Sequence, residues 1–118
     1  MVIREWRGRT NQVKSAEYPT HFRTSVVPGL RRVPGFLGAF LSERLHGDQL
    51  HDDQVEFLVL TRWTSMEAIR AFAGPNPERA VVEPGAIAAL TAYDEEVRHY
   101  EVLDVISGDP PPLDPPRK

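Results

Sequence analysis

A tryptophan stands where the sequence changes from the period of a strand to that of a helix. In EFLVLTRWTSMEAIRAF, residues 56–72, the part ending at Trp63 is rich in β-branched and large apolar residues, and the next part has helical spacing. An aromatic residue at such a junction is either a packing corner or the wall of a pocket. Arg4, His21 and His99 could supply an anion partner or a proton acceptor beside such a wall.

Trp63 and Arg4 also have purely structural interpretations. Large aromatic residues usually belong to the core, so Trp63 could serve packing alone, or packing and ligand contact together. Arg4 lies in the first predicted strand and could form a salt bridge with Glu5 or Glu101. Sequence leaves both interpretations open for each residue.

The two histidines are equally open to two interpretations. His21 lies one residue off an apolar helical stripe, so it could be a general base or a helix-flank residue with no task. His99 alternates with Val97 and Leu103 and is expected to point into a buried face. There it could be a base, or a hydrogen-bonded histidine of the core or of a dimer interface.

The signatures of common cofactors are missing from the sequence. The chain has no Cys, which excludes disulfides and thiolate metal sites, and it lacks a Gly-rich phosphate loop, a nucleophile elbow and a dinucleotide fingerprint. A polar loop matches no zinc or calcium motif and predicts a solvated hairpin tip, although it contains His46, Asp48, His51, Asp52 and Asp53. We therefore expect no metal and no cofactor.

Length and charge limit the classes of partner. The 118 residues suffice for one domain, and a net charge of -3 argues against general nucleic-acid binding. No apolar run approaches a membrane span or a signal peptide, so a cytoplasmic protein without membrane contact is expected. Residues 1–106 are predicted to form the domain. Residues 107–118, SGDPPPLDPPRK, are expected to be a disordered proline-rich tail.

The order of predicted elements defines the fold class. Alternation and helical spacing predict strand, helix, strand, strand, helical region and strand, at residues 2–8, 13–33, 36–45, 55–63, 64–93 and 95–105. This is the βαββαβ order of a ferredoxin-like α+β fold, with a four-stranded antiparallel sheet and helices on one face. The third strand is apolar on both faces, so the back of the sheet should also be buried, and a second copy of the chain is expected to cover it.

Local signals predict where the helices begin and bend. Thr64 and Glu67 match a capping box for the helix after the third strand, and Gly74 is expected to end that helix. Pro28 is expected to bend or break the first helix near Val27.

Several stretches resemble the antibiotic biosynthesis monooxygenase family. They are LRRVPGFLGAFLSER, VEFLVLTRWTSMEAIRAFAG and VRHYEVL, and the resemblance extends over residues 2–103. Its most specific parts are Pro-Gly-Phe at 34–36 and the Trp-x-Ser-x-Glu-Ala pattern at 63–68. The resemblance implies a dimeric α+β barrel in which two ferredoxin-like sheets face each other. It also implies a small-molecule pocket between the sheet and the helices of each subunit.

Activities differ among members of this family. Some oxygenate phenols to quinones without metal or flavin, some degrade haem, and many have no known activity. The haem-degrading branch places a second Trp and a ligating His where this chain has Phe72 and Val82, and a first-strand Asn where it has Arg4 or Trp6. Haem degradation by that mechanism is therefore not expected.

The resemblance implies a cofactor-independent monooxygenase that uses molecular oxygen on a phenolic, quinol-like or polycyclic aromatic molecule. Arg4 would be the anion partner, and His21 or His99 the base. The substrate-binding residues would be Trp63, Trp6, Tyr18, Phe22 and Phe72. The alternatives are a non-catalytic, stress-associated dimer that binds an aromatic metabolite, and a purely structural role for Trp63.

Overall fold

A single antiparallel sheet organises the protein, as seen in a computed structural model that describes residues 1–45 and 54–109. Its long strands are β1 (Val2–Asn11), β2 (Phe36–Leu45) and β3 (Gln54–Trp63). The short strands β4 (Ala92–Tyr93) and β5 (Arg98–Glu101) both pair with β1. The order β2-β3-β1-β4/β5 is that of a ferredoxin-like α+β fold, so the predicted fold class is confirmed.

The helices cover one face of this sheet. Between β1 and β2, α1 (Glu17–His21) continues through a π-helical turn (Phe22–Val26) into α2 (Val27–Leu30). After β3 come α3 (Met66–Ala73) and α4 (Pro84–Ala89). Residues 75–83, which connect α3 to α4 without a helix of their own, are called the strap below.

Alternation along β3 decides which side chains face the helices. Val55, Phe57, Val59, Thr61 and Trp63 are all buried, while the residues between them are only half-buried. Because successive strand residues point to opposite faces, these five side chains form the helix-facing side of the strand.

Pro28 leaves the first helix unbroken, so the expected break near Val27 is wrong. The backbone N–H of Val27 donates to the Phe22 carbonyl, five residues back, and the chain continues as α2. Proline lacks an N–H, and a π-turn placed before it lets the helix accommodate the lost hydrogen bond without ending.

The cap of α3 lies one residue later than the predicted capping box. Ser65, not Thr64, has extended backbone angles, and its hydroxyl accepts from the N–H of Ala68. The Thr64 N–H instead donates to the Gly35 carbonyl at 2.9 Å, which holds Thr64 in the turn before the helix. The helix ends at Gly74, as predicted, with a left-handed φ of 93°.

The predicted last strand, residues 95–105, is shorter in the structure, where β5 spans Arg98–Glu101, and β4 (Ala92–Tyr93) lies in the stretch that was predicted to be helical. The Asp94 N–H still donates to the Arg7 carbonyl, but the pairing with β1 is interrupted between Tyr93 and Arg98. In this interval the N–H of Val97 donates to the Glu78 carbonyl at 2.8 Å. The strap therefore takes part of the pairing that a continuous strand would give to β1.

The back of the sheet combines charged pairs with open apolar side chains. Arg44 donates to Glu56 at 2.8 Å, and Arg7 lies 3.1 Å from Glu5. Phe40 and Tyr100 are 60% and 50% exposed in the single chain. The expected burial of this face is therefore incomplete in one copy of the chain.

Two predicted features lie outside the described residues. They are the tip of the β2–β3 hairpin, residues 46–53, and the proline-rich residues 110–118. No helix among the described residues is long and apolar enough to cross a membrane.

Candidate functional site

A small cavity lies between the sheet and the helices. It encloses about 70 Å³ and is predominantly apolar. Strands β1 and β3, the first helix, α3, α4 and the strap all contribute to its wall, through Arg4, Trp6, Tyr18, Phe22, Val26, Leu30, Val59, Thr61, Phe72, Val81, Val82, Ala86 and Val97. Among the described residues, Arg4 supplies the charge of this wall, and Tyr18 and Thr61 supply its hydroxyl groups, in an otherwise largely apolar lining.

Arg4 is the charged residue of this wall and is only 6% exposed. Its Nη1 donates to the Pro77 carbonyl at 2.6 Å and contacts His99 Nε2 at 2.9 Å, while Nη2 donates to the Arg79 carbonyl at 3.0 Å. Burial lowers the pKa of Arg4 to about 10, and Glu78 opposes this shift, so the side chain stays protonated at neutral pH. Sequence had suggested pairing with Glu5 or Glu101. Instead, Glu5 contacts Arg7 and Arg98.

The hydrogen bond to Arg4 fixes the state of His99. A guanidinium can only donate, so His99 Nε2 must accept and the imidazole proton must be on Nδ1. Burial, Arg4 and Arg70 lower the pKa of His99, and Glu78 opposes them. His99 is thus a neutral, hydrogen-bonded histidine behind Arg4, outside the cavity wall. The hydrogen bond agrees with the structural interpretation of His99, and its role as a base stays a prediction.

Tyr18 and Trp6 form the aromatic side of the cavity. Their rings are 5.7 Å apart, and Trp6 Nε1 donates to the Asp94 carbonyl at 2.8 Å, which leaves the indole face toward the wall. The Tyr18 hydroxyl makes no hydrogen bond within the described residues, although the side chain is almost completely buried. Burial and, to a smaller extent, Glu83 raise the pKa of Tyr18 well above its ordinary value, so the phenol is protonated.

Trp63 lies one layer behind the cavity. It is fully buried, stacks on Phe72 at 5.3 Å, meets Phe36 edge-on at 5.4 Å, and its Nε1 donates to the Thr61 hydroxyl at 2.8 Å. Phe72 and Thr61 line the cavity, and Trp63 does not. Trp63 is therefore a packing corner that supports two wall residues.

His21 lies behind Tyr18, and the two ring centroids are 6.2 Å apart. Its Nε2 is 3.3 Å from Glu83 Oε1, close enough for an ion pair but outside hydrogen-bond geometry. It does not line the cavity. A contact between His21 and a ligand would require Tyr18 or the strap to move.

Five of the eight predicted site residues meet at one cavity: Arg4, Trp6, Tyr18, Phe22 and Phe72. Their roles in binding or catalysis stay predictions. Sequence reasoning missed the contribution of the strap, which supplies Val81 and Val82 to the wall and two carbonyls to Arg4. The strap has no helical or strand period that could have revealed it.

Together, the fold and the cavity define a ferredoxin-like α+β domain with an aromatic-lined pocket between its sheet and its helices. The sequence profile of the antibiotic biosynthesis monooxygenase family matches residues 1–84, more than two thirds of the chain. The chain belongs to this family, and the predicted resemblance is confirmed.

Solved structures show the same fold at low sequence identity. A presumed antibiotic biosynthesis monooxygenase from Deinococcus radiodurans has a TM-score of 0.56 and 18% identity, over 91% of this chain and 97% of that chain. The haem-degrading MhuD of Mycobacterium tuberculosis, with two haems in its active site, has a TM-score of 0.55 and 20% identity, over 91% of this chain and 100% of that chain. An ethyl tert-butyl ether d family protein from Bacillus halodurans has a TM-score of 0.52 and 9% identity, over 87% of this chain and 100% of that chain. Among proteins with curated functions, none is significantly similar to this chain.

The cavity residues do not fit a haem or another metal centre. No histidine among the described residues lines the cavity. Its volume of about 70 Å³ is also too small for a porphyrin without displacement of the wall. Within residues 1–45 and 54–109, no three His, Asp or Glu side chains cluster as metal ligands would.

Proposed function

We propose that this protein is a cofactor-independent monooxygenase that oxidises a phenolic or quinol-like small aromatic molecule with molecular oxygen. Membership of the family supports an oxygenase. The observation that carries the proposal is a buried arginine, without a carboxylate within ion-pair distance among the described residues, at the wall of an aromatic cavity. Such a cation suits an oxygen anion attached to an apolar ring.

Arg4 would favour the substrate in its reactive form. A phenol bound against a buried cation has a lowered pKa, because the cation stabilises the phenolate more than the phenol. The phenolate is the electron-rich form that reacts with oxygen. Three of the five guanidinium N–H groups have partners within the described chain, which leaves Nε–H and one Nη2–H for the substrate oxygen.

The proposed reaction balances without an external reductant. A phenol with a hydrogen on its para carbon gains one oxygen atom there and becomes a quinone. The second oxygen atom leaves as water with the para hydrogen and the phenol hydrogen. The substrate supplies all four electrons that reduce the oxygen molecule. Tyr18, whose hydroxyl is unpartnered among the described residues, is placed to donate to a ring oxygen or to reduced oxygen.

The size of the cavity restricts how a substrate enters. Its volume of about 70 Å³ is roughly half that of a ~150 Å³ engineered apolar cavity that holds benzene. A ring therefore requires some displacement of the wall. Val81, Val82 and Val97 are the described wall residues outside helices and strands, and displacement of the strap, which carries the first two, would enlarge the cavity without disrupting a helix or strand.

A homodimer and a cytoplasmic location belong to the same proposal. Phe40 and Tyr100 on the back of the sheet leave apolar surface for a second copy of the chain. His21 or His99 as general base also belongs to it. In the described state, the Nε2 lone pair of His99 is occupied by Arg4, and His21 is screened by Tyr18. Most of the expected deprotonation of the substrate phenol would therefore result from the positive charge of Arg4, which lowers the pKa of the phenol.

The test is oxygen uptake by the metal-free protein with a panel of anthrones, naphthols and hydroquinones. Uptake should depend on substrate, yield a quinone with one oxygen atom more than the substrate, and fall at least tenfold in Arg4→Gln. Val13→Ala, a change at a 95% exposed side chain, is the matched control and should keep full activity. His21→Ala should lower uptake if His21 is the base. Equal uptake in Arg4→Gln and the unaltered protein would exclude the proposed role of Arg4.

A second candidate, binding without catalysis, is favoured by one observation: no histidine or carboxylate among residues 1–45 and 54–109 lines the cavity. In that case the same aromatic compounds should quench tryptophan fluorescence through Trp6, with no oxygen uptake. Quenching together with quinone formation would exclude the binding-only candidate.

A further inference from the structure

The positive charge of Arg4 is buried without a negative partner in contact. Its three bonded acceptors are two carbonyls and a neutral imidazole, and no described carboxylate lies within ion-pair distance. Glu78 acts on it only through the electrostatic field. Buried cations in proteins are normally paired, because an uncompensated charge is costly away from water.

His99 occupies the position from which a carboxylate could have compensated this charge. It is directly opposite Arg4 in the pairing of β1 with β5, so the two side chains are neighbours on one face of the sheet. Nε2 lies 2.9 Å from Arg4 Nη1. A histidine in this tautomer holds the guanidinium through one hydrogen bond and adds no charge.

We propose that His99 is a positioning residue that fixes Arg4 without neutralising it, so that the cavity binds its ligand as an organic oxygen anion. This inference rests on the proposed function, since it concerns the same cavity, and it specifies the ionic form of the substrate class. His99 does not contact the ligand itself, because it lies outside the cavity wall. Arg70 and Glu78 are the other charged groups that act on His99.

Two substitutions of His99, by glutamine and by glutamate, separate the positioning of Arg4 from the neutralisation of its charge, because the two new side chains have the same shape and differ in charge. His99→Gln can place a neutral amide oxygen near the position of Nε2, so it should still accept from Arg4. His99→Glu has the same shape and adds the missing carboxylate. If the charge of Arg4 is reserved for the ligand, the internal carboxylate will compete with it, and only the Glu variant will lose anion binding.

The probes are benzoate and benzamide, one anionic and one neutral ligand of almost the same size. Their affinities are measured by calorimetric titration of the intact protein at pH 7.5, and the readout is the ratio of the two affinities. A purely structural role for His99 would change both affinities together. We expect benzoate to bind at least tenfold more tightly than benzamide to the unaltered protein and to His99→Gln, and with no preference to His99→Glu.

Three results would overturn the inference: no benzoate preference in the unaltered protein, loss of the preference in His99→Gln, or its retention in a folded His99→Glu. If His99→Glu does not fold by circular dichroism, Arg4→Gln decides, because a benzoate preference that survives there cannot come from Arg4. Binding is read without turnover. A benzoate preference without oxygen uptake would support this inference and reject the oxygenase. Oxygen uptake without a benzoate preference would support the oxygenase and reject this inference.

Discussion

Replacement of Trp63 by alanine distinguishes a packing corner from a ligand wall. The side chain is fully buried, stacked on Phe72 and in edge contact with Phe36. Truncation of such a residue costs about 3–5 kcal/mol of unfolding free energy. With an unfolding entropy of roughly 2.1 cal/mol/K per residue, or about 250 cal/mol/K for 118 residues, Tm should fall by roughly 12–20 °C.

The assay is thermal and guanidinium unfolding followed by circular dichroism, at one fixed protein concentration because self-association shifts Tm. Trp63→Phe is the matched control. It keeps a ring against Phe72 and loses the donation to the Thr61 hydroxyl, so it should cost only about 1–2 kcal/mol. A loss below about 1 kcal/mol in Trp63→Ala, combined with abolished ligand binding, would refute the packing assignment and make Trp63 a wall residue.

Three further predictions concern the backbone, the helix cap and pH. Gly35→Ala should cost about 2 kcal/mol or more, because φ is +92° and the new Cβ would lie 2.5 Å from the Ala68 Cβ. Gly74→Ala, equally left-handed but with open space around it, should cost less, and equal losses in thermal melts would contradict the clash. Ser65→Ala should lower the free energy of unfolding in guanidinium by about 1 kcal/mol, and Thr64→Ala should lower it distinctly less. The reverse order of the two losses would contradict the assignment of Ser65 as the cap. Because burial and Arg4 lower the folded-state pKa of His99, the unfolded chain binds its proton first. The stability associated with His99 should be complete above pH 6.5 and decline as pH falls through the folded-state pKa. His99→Gln should remove that decline in stability. An unchanged pH dependence of stability in this variant would contradict the prediction.

The regular elements could be predicted because their patterns are local. β2 has the predicted bounds, and β3 begins one residue earlier than predicted. The π-turn before Pro28 could not be predicted, because a proline signals a lost hydrogen bond and not how the helix compensates for it. The cap of α3 was placed one residue early, because Thr64 and Ser65 carry equivalent hydroxyls and only the contact of Thr64 with Gly35 decides between them.

Sequence predicted five of the thirteen residues that line the cavity and missed the contribution of the strap. Strand alternation and the helical stripe are periodic, so they predicted that Arg4, Tyr18 and Phe22 would face the same space. The partners of Arg4 were not predictable, because two of them are main-chain carbonyls of the strap, and any residue type can supply a carbonyl. Trp63 was placed at the correct corner, but its distance from the cavity depends on how Phe72 packs in front of it.

The π-turn makes the cavity wall depend on the number of residues in the first helix. In a regular α-helix, four residues overshoot one full turn by about 40°, so side chains spaced by four would spiral about 120° around the axis over three such intervals. Tyr18, Phe22, Val26 and Leu30 have this spacing, yet all four line one cavity. The wider turn takes up part of the overshoot. A deletion of one residue between Phe22 and Val26 would leave eleven residue steps from Tyr18 to Leu30, about three full α-helical turns, so a regular α-helix would then keep Leu30 at the wall without the π-turn.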